Sequence, residues 1–270
     1  MSLEKPIFVI GHARGGSTLL GAIINNHSQV GPKYLEQKVL DTEKFKAFGS
    51  HLNFSEKLEQ KEIWFKYFTG KDCFTHMGKE IYEENLKLSP EQIDNLVCDL
   101  TENFREERFL SKSPTNTFRI NLIKEIFPDS KIVVILRRGE EVVASWGRRN
   151  YGFGKKVAWG NLNIKKLSYF RGINIFSKKW EEVIDVVKDA SQEHEMLLIS
   201  YDDLIEDTQK TLKNVFHYLE LPPEHYITEI VLQKDNNKWK ENIPWIYQLY
   251  LRYKTKNGNK ELREMGVRLN

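Results

Sequence analysis

A chain of 270 residues and 31.8 kDa suits one large domain and is long enough to bury a substantial core. Its 41 basic and 38 acidic residues leave a net charge of +3, too balanced to argue for a nucleic-acid or membrane partner from charge alone. Two cysteines, Cys73 and Cys98, exclude a disulfide framework, and no run approaches the about 18 apolar residues of a membrane span.

MSLEKP leads directly into KPIFVIG (5–11), an apolar, β-branched run ending in glycine that reads as a buried strand. No signal-peptide pattern is visible, so a reducing cytoplasm is the expected location, and both cysteines are expected to be reduced structural residues in helical segments. STLLGAIINNH (17–27) spaces Leu19, Leu20, Ile23 and Ile24 at helical intervals, with Ser17 or Thr18 as the expected cap. Residues 41–110 are rich in Lys, Glu, Phe and Tyr and read as mostly amphipathic helices, with a turn at LSPE (88–91) and most aromatics in the core. RFLSKSP (108–114) reads as a second strand ending at Lys112, and 115–127 as a helix stopped before Pro128. KIVVILR (131–137) is the clearest strand of the chain, and EEVVASWGRRN (140–150) turns helical. Residues 151–175, glycine-containing, basic and aromatic, suit a mobile loop or partial lid. MLLISYDDL (196–204) gives another buried strand, and TQKTLKNVFHYLE (208–220) a helix ended by LPP. Strands alternating with helices predict an α/β fold. Its mostly parallel central sheet would be flanked by helices on both faces, in a single domain over 1–270 with 37–109 as a helical insertion.

GHARGGST (11–18) has the spacing of a phosphate loop, with Gly11, Gly16 and Thr18 in place and Ser17 where the lysine belongs. Backbone N–H groups from about Gly15 to Thr18 would surround a phosphate oxygen at the following helix N-terminus, and Arg14 would supply the missing charge. The plainer alternative is a tight turn with a surface arginine. A second constellation lies in LRRGEEVVASWGRRN, where Arg137 ends a strand, Ser145 follows eight residues on and Arg149 four after that. The i, i+4 spacing puts Ser145 and Arg149 on one helix face, able with Arg137 to grip a second phosphate. Its plainer alternative is a basic, solvated helix end. Open parallel sheets bind ligands outside the carboxyl ends of their strands, and Gly11, Lys112, Arg137 and Tyr201 all fall there.

These residues resemble the sulfotransferases that use 3′-phosphoadenosine 5′-phosphosulfate (PAPS), in a motif style similar to the tyrosylprotein and carbohydrate sulfotransferases. Arg14-Gly15-Gly16-Ser17-Thr18 is similar to their loop for the 5′-phosphosulfate, and Arg137 with Ser145 to their 3′-phosphate motif. Lys112-Ser113-Pro114, Phe127-Pro128-Asp129, the segment from Ser200 to Pro222 and NKWKENIP (237–244) add four further similarities in the family's order. Three positions depart: the usual Arg-Asp-Pro becomes Arg137-Arg138-Gly139, Ala13 replaces a common proline, and Gly15 replaces a common serine.

The resemblance implies a P-loop-like sulfotransferase fold and PAPS as donor co-substrate, with no metal required. It implies that Arg14 and Lys112 flank the transferring group, that Lys238 reaches the 5′-phosphate, and that Tyr201 contacts the nucleotide. A hydroxyl acceptor needs a general base. Glu36, in HSQVGPKYLE, is the preferred one, with His12, His27, His51 and His76 as rivals. Segments 37–109 and 151–175 are expected to form the acceptor pocket. Lys155, Lys156, Lys165, Lys166 and Arg171, with Tyr151, Phe153 and Trp159, favour a carbohydrate or glycolipid hydroxyl, then a small alcohol or phenol. No nucleic-acid partner is expected. Two other readings stay open: a P-loop small-molecule or nucleoside kinase, against which the missing lysine speaks, and a non-catalytic nucleotide-binding protein of the same fold.

Overall fold

The computed structural model describes residues 3–31, 67–68, 87–104, 108–150, 162–225, 227, 230, 232, 238–240 and 243–269. Its centre is a four-stranded sheet of order β2-β1-β3-β4, built from β1 (Ile7–Gly11), β2 (Leu110–Lys112), β3 (Lys131–Leu136) and β4 (Leu197–Ser200). Every pairing is parallel: Ile7 lies opposite both Leu110 and Lys131, and Val133 opposite Leu197. After β1 the chain leaves to one side to form β2, then returns across β1 to form β3. The β1–β3 junction is therefore the switch point of the sheet, where a crevice opens at the carboxyl ends.

The continuous apolar runs of β1 and β3 are explained by burial on both faces. Phe8, Ile10, Ile132, Val134 and Leu136 face one core. There they meet α4 (Gly139–Asn150), α5 (Leu162–Glu193) and α8 (Trp245–Glu264). Ile7, Val9, Val133 and Ile135 face the other, against α1 (Ser17–Asn25), α6 (Tyr201–Glu206) and α7 (Thr208–Tyr218). The short helices α2 (Pro90–Asn103) and α3 (Ile120–Ile126) complete the first layer. No helix among the described residues is long and apolar enough to cross a membrane.

Several expectations change in detail. Neither Ser17 nor Thr18 caps α1; Gly16 holds that position with no side-chain cap. LSPE is a helix start, in which Ser89 and Gln92 form a reciprocal capping box ahead of α2. The helix expected over 115–127 divides into a 3-10 turn, Pro114–Arg119, and α3, because Pro114 favours a tight first turn capped by Ser113. The loop expected over 151–175 is helical from Leu162 onward, since Ile173, Phe176 and Trp180 continue a buried stripe through Gly172; 151–161 lie outside the described residues. Of the insertion expected over 37–109, the described residues are 67–68, 87–104, which hold α2, and 108–109, just ahead of β2. Cys98 is a free thiol on α2 but is exposed, and Cys73 lies outside the described residues.

Candidate functional site

The loop from Gly11 to Gly16 leaves β1 at the switch point and is fixed from three sides. Thr117, in the turn that Ser113 and Pro114 start, accepts from the Gly11 N–H at 3.0 Å and donates back to the Gly11 carbonyl at 3.2 Å. Inside the loop the Gly15 N–H donates to the His12 carbonyl at 2.8 Å. From α4, the Trp146 indole donates to the Ala13 carbonyl at 2.9 Å, which also accepts from His12 Nδ1 at 2.5 Å. Arg14 takes a left-handed backbone with φ of 73°, a conformation that costs a non-glycine residue roughly 1–3 kcal/mol and recurs where function needs it.

Gly16 is required by contact as well as by conformation. Its φ is 108°, and a Cβ there would lie 2.5 Å from the Tyr201 ring. Tyr201, the residue after β4, covers the loop, and the Arg137 guanidinium stacks 4.0 Å from the centre of its ring. The first turn of α1 receives no side-chain cap from Gly16, which leaves the uncapped start of the helix at the carboxyl end of β1. Lys112, the last residue of β2, reaches the same turn: Nζ donates to Thr18 Oγ1 at 3.2 Å.

Beyond β3, Arg137 is paired through Nε with Glu141, and Arg138 donates to the other oxygen of Glu141 at 3.0 and 3.1 Å. One helical turn further, Ser145 accepts from Arg14 Nε at 3.0 Å, which joins the first motif to the second. The departure at Gly139 has a packing cause. A Cβ there would stand 2.6 Å from Thr255 and 2.8 Å from Trp180, and the Gly139 N–H donates to Asn259 of α8 at 3.0 Å. Proline would lose that donor and collide with both neighbours.

The structure thus brings Arg14, Gly15, Gly16, Ser17, Thr18, Lys112, Arg137, Ser145 and Tyr201 to one edge of the sheet. Arg149 lies in α4, with its side chain outside the described residues. Lys238 opens the 3-10 turn Lys238–Lys240, which packs against α4 through the buried Trp239; its side chain too is outside the description. Glu36, His51 and His76 lie outside the described residues. Burial pulls His12 down to about 4, so it is a neutral, weak base at ordinary pH, with Nδ1 committed as a donor to Ala13. His27 stacks on Phe216, donates from Nε2 to the Pro222 carbonyl at 2.8 Å and accepts the Gln29 N–H on Nδ1 at 3.1 Å, which makes it a structural residue at the end of α1. Thr117, Trp146, Glu141 and Asn259 were not legible as site-building residues, although Glu141 stands at the i+4 and i+3 spacing of an ion pair from Arg137 and Arg138. Among the described residues, no group of three or more His, Cys, Asp or Glu is placed to hold a metal ion.

Comparison with known proteins bears on this arrangement. The sequence model of the sulfotransferase family matches residues 6–225, which include the loop, both strand-end cations and Ser145. The chain belongs to the sulfotransferase family. Its fold is similar to the sulfotransferase STF9 of Mycobacterium avium, with a TM-score of 0.63 at 10% identity over 100% of this chain and 79% of that one. It is also similar to the sulfotransferase domain of the curacin biosynthetic pathway, with a TM-score of 0.52 at 18% identity over the whole of both chains. The sulfotransferase domain of the Synechococcus PCC 7002 olefin synthase gives 0.52 at 16% identity over 95% of this chain and 96% of that one. An uncharacterized protein of Aquifex aeolicus (strain VF5) is 24% identical over 236 residues; the match takes in 84% of this sulfotransferase-family chain and 27% of that relative, so the chain spans about a quarter of its length.

Proposed function

We propose that the protein moves a sulfuryl group from PAPS to an acceptor hydroxyl. The observation that carries this reading is the contact of Arg14 with Ser145, because it joins the loop to the strand-end motif. A nucleotide phosphorylated at both 5′ and 3′ positions would engage both motifs at once. The 5′ end would sit on the N–H groups of Gly15 to Thr18, between Arg14 and Lys112. The 3′-phosphate would meet Arg137 and Ser145, with Arg149 beside it, while Tyr201 would contact the nucleotide and Lys238 would reach the 5′-phosphate.

In the transfer, the bond from sulfur to the 5′-phosphate oxygen breaks and a bond to the acceptor oxygen forms. Negative charge grows on the departing phosphate, where Arg14, Lys112 and the helix end stabilise it in place. The acceptor proton passes to Glu36, and 3′-phosphoadenosine 5′-phosphate (PAP) leaves. Lys112 also argues against a magnesium-dependent kinase. It holds the Thr18 hydroxyl that such an enzyme gives to its metal. The acceptor we favour is a carbohydrate, glycolipid or small-alcohol hydroxyl, from the basic and aromatic residues of 151–171.

Calorimetric titration with PAP, AMP and Mg·ATP tests the donor assignment. Binding that depends on the 3′-phosphate and weakens in Arg137→Ala supports it; preference for Mg·ATP with indifference to the 3′-phosphate overturns it.

A further inference from the structure

We infer that Glu141 is a positioning residue that sets the affinity of this site for a 3′-phosphate, by dividing its charge between Arg137 and Arg138. The inference rests on the proposed nucleotide site. The geometry is that of one carboxylate shared by two guanidinium groups. Oε2 takes Arg137 and Oε1 takes Arg138 at 3.0 Å. The Glu141 side chain is 8% exposed, and the two arginines are 22% and 21% exposed, so solvent screens the three charges only in part.

Glu141 makes the substitution at 138 tolerable. Two arginines adjacent in sequence carry like charges, and at a half-buried strand end they require a counter-ion. With Arg138 present, Glu141 is half engaged elsewhere, and Arg137 keeps more of its charge for a ligand. Were Arg138 absent, the whole carboxylate would fall to Arg137 and compete with an incoming phosphate. The carboxylate holds Arg137 by its Nε edge, and Tyr201 supports the guanidinium plane from below at 4.0 Å. A purely structural reading gives Glu141 the role of an acid in the first turn of α4, favoured by the helix dipole. That role would affect all ligands alike.

The test compares the dissociation constants of PAP and AMP by calorimetry in the full chain, in Glu141→Gln and in Arg138→Gln. Glu141→Gln keeps an amide oxygen for one of the two guanidinium groups and removes the competing charge. It should tighten PAP roughly five- to tenfold and leave AMP unchanged within about twofold. Arg138→Gln should weaken PAP by roughly the same factor, again with AMP unchanged. Opposite signs confined to the 3′-phosphorylated nucleotide support the inference. Equal shifts for both nucleotides, losses in both variants, or an unmoved ratio overturn it. If Glu141→Gln does not fold, Arg138→Gln alone carries the test, and an unchanged PAP to AMP ratio there is sufficient to reject it. Failure of the unsubstituted protein to prefer PAP would instead overturn the donor assignment, so the two failures are distinguishable.

Discussion

Arg14 and Ser145 are 131 positions apart in sequence, yet Arg14 Nε donates to Ser145 Oγ at 3.0 Å. The two residues belong to different motifs, one in the loop after β1 and one on the helix after β3. Their contact orients the arginine across the switch point of the sheet. Truncating either should therefore weaken PAP binding partly through the other. A double-mutant cycle of Arg14→Ala and Ser145→Ala should give a coupling of about 0.5–1.5 kcal/mol, the range of a hydrogen bond made in part to solvent-exposed groups. Strictly additive losses in calorimetry would show that the contact does not serve the ligand.

Gly139 stands where the resembled family has proline, and the structure makes proline unacceptable here. Gly139→Ala should destabilise the fold by about 1–3 kcal/mol through overpacking against Thr255 and Trp180. Gly139→Pro should cost more, because it also removes the donor to Asn259. Urea denaturation of the two variants checks both the order and the size. A proline variant as stable as the parent would mean that α8 yields freely at this point.

The parts of the fold that were legible share a physical reason. A parallel strand buried on both faces must be a continuous apolar run, so IFVIG and KIVVIL declared themselves, as did the glycine loop between strand and helix. Helix α8 was not legible. Its buried stripe passes through Thr255, Gly258 and Asn259, small and polar residues that let it approach Trp180 and Gly139, so apolar periodicity fails in its second half. The start of α5 was masked by Gly172, whose helical cost of about 1 kcal/mol is outweighed by the packing of Ile173, Phe176 and Trp180. At the site, cations and glycines were legible because phosphate chemistry demands them. Thr117, Trp146 and Asn259 were not, because they act by bonding backbone groups whose location only the tertiary fold sets.

Glu36 is proposed as the base that accepts the acceptor proton. Glu36→Gln should lower kcat at least about 100-fold, the lower range for a general base, while the PAP dissociation constant stays within about twofold. Single-turnover assays with a competent acceptor measure the first quantity and calorimetry the second. Undiminished turnover would remove Glu36 from the role.

Glu220 is held down to about 2 by hydrogen bonds from Lys131 and Lys5. Its folded-state value is depressed, so its contribution is complete above the ordinary glutamate range and is lost as pH falls from about 4.5 towards 2. Thermal unfolding of the parent should lose ground to Glu220→Gln across that acidic window. Parallel curves for the two proteins would show that the exposed pairs contribute nothing.

His12 moves the pH response to a higher window. Burial lowers it from 6.5 to about 4, so the folded protein holds the neutral ring where the unfolded chain is already protonated. Stability is therefore unaffected by this group above about 6.5 and declines as pH falls from there to about 4, because the unfolded state binds the proton first. A charged ring would sit inside the loop that His12 Nδ1 and the Trp146 indole both anchor at Ala13. His12→Asn should flatten the stability profile between pH 6.5 and 4 and leave the more acidic Glu220 transition in place. If PAP binds at the proposed site, it should oppose the decline by mass action. Denaturation profiles with and without PAP separate these effects. A parent profile flat through this window would show that His12 is solvated or protonated in the folded state.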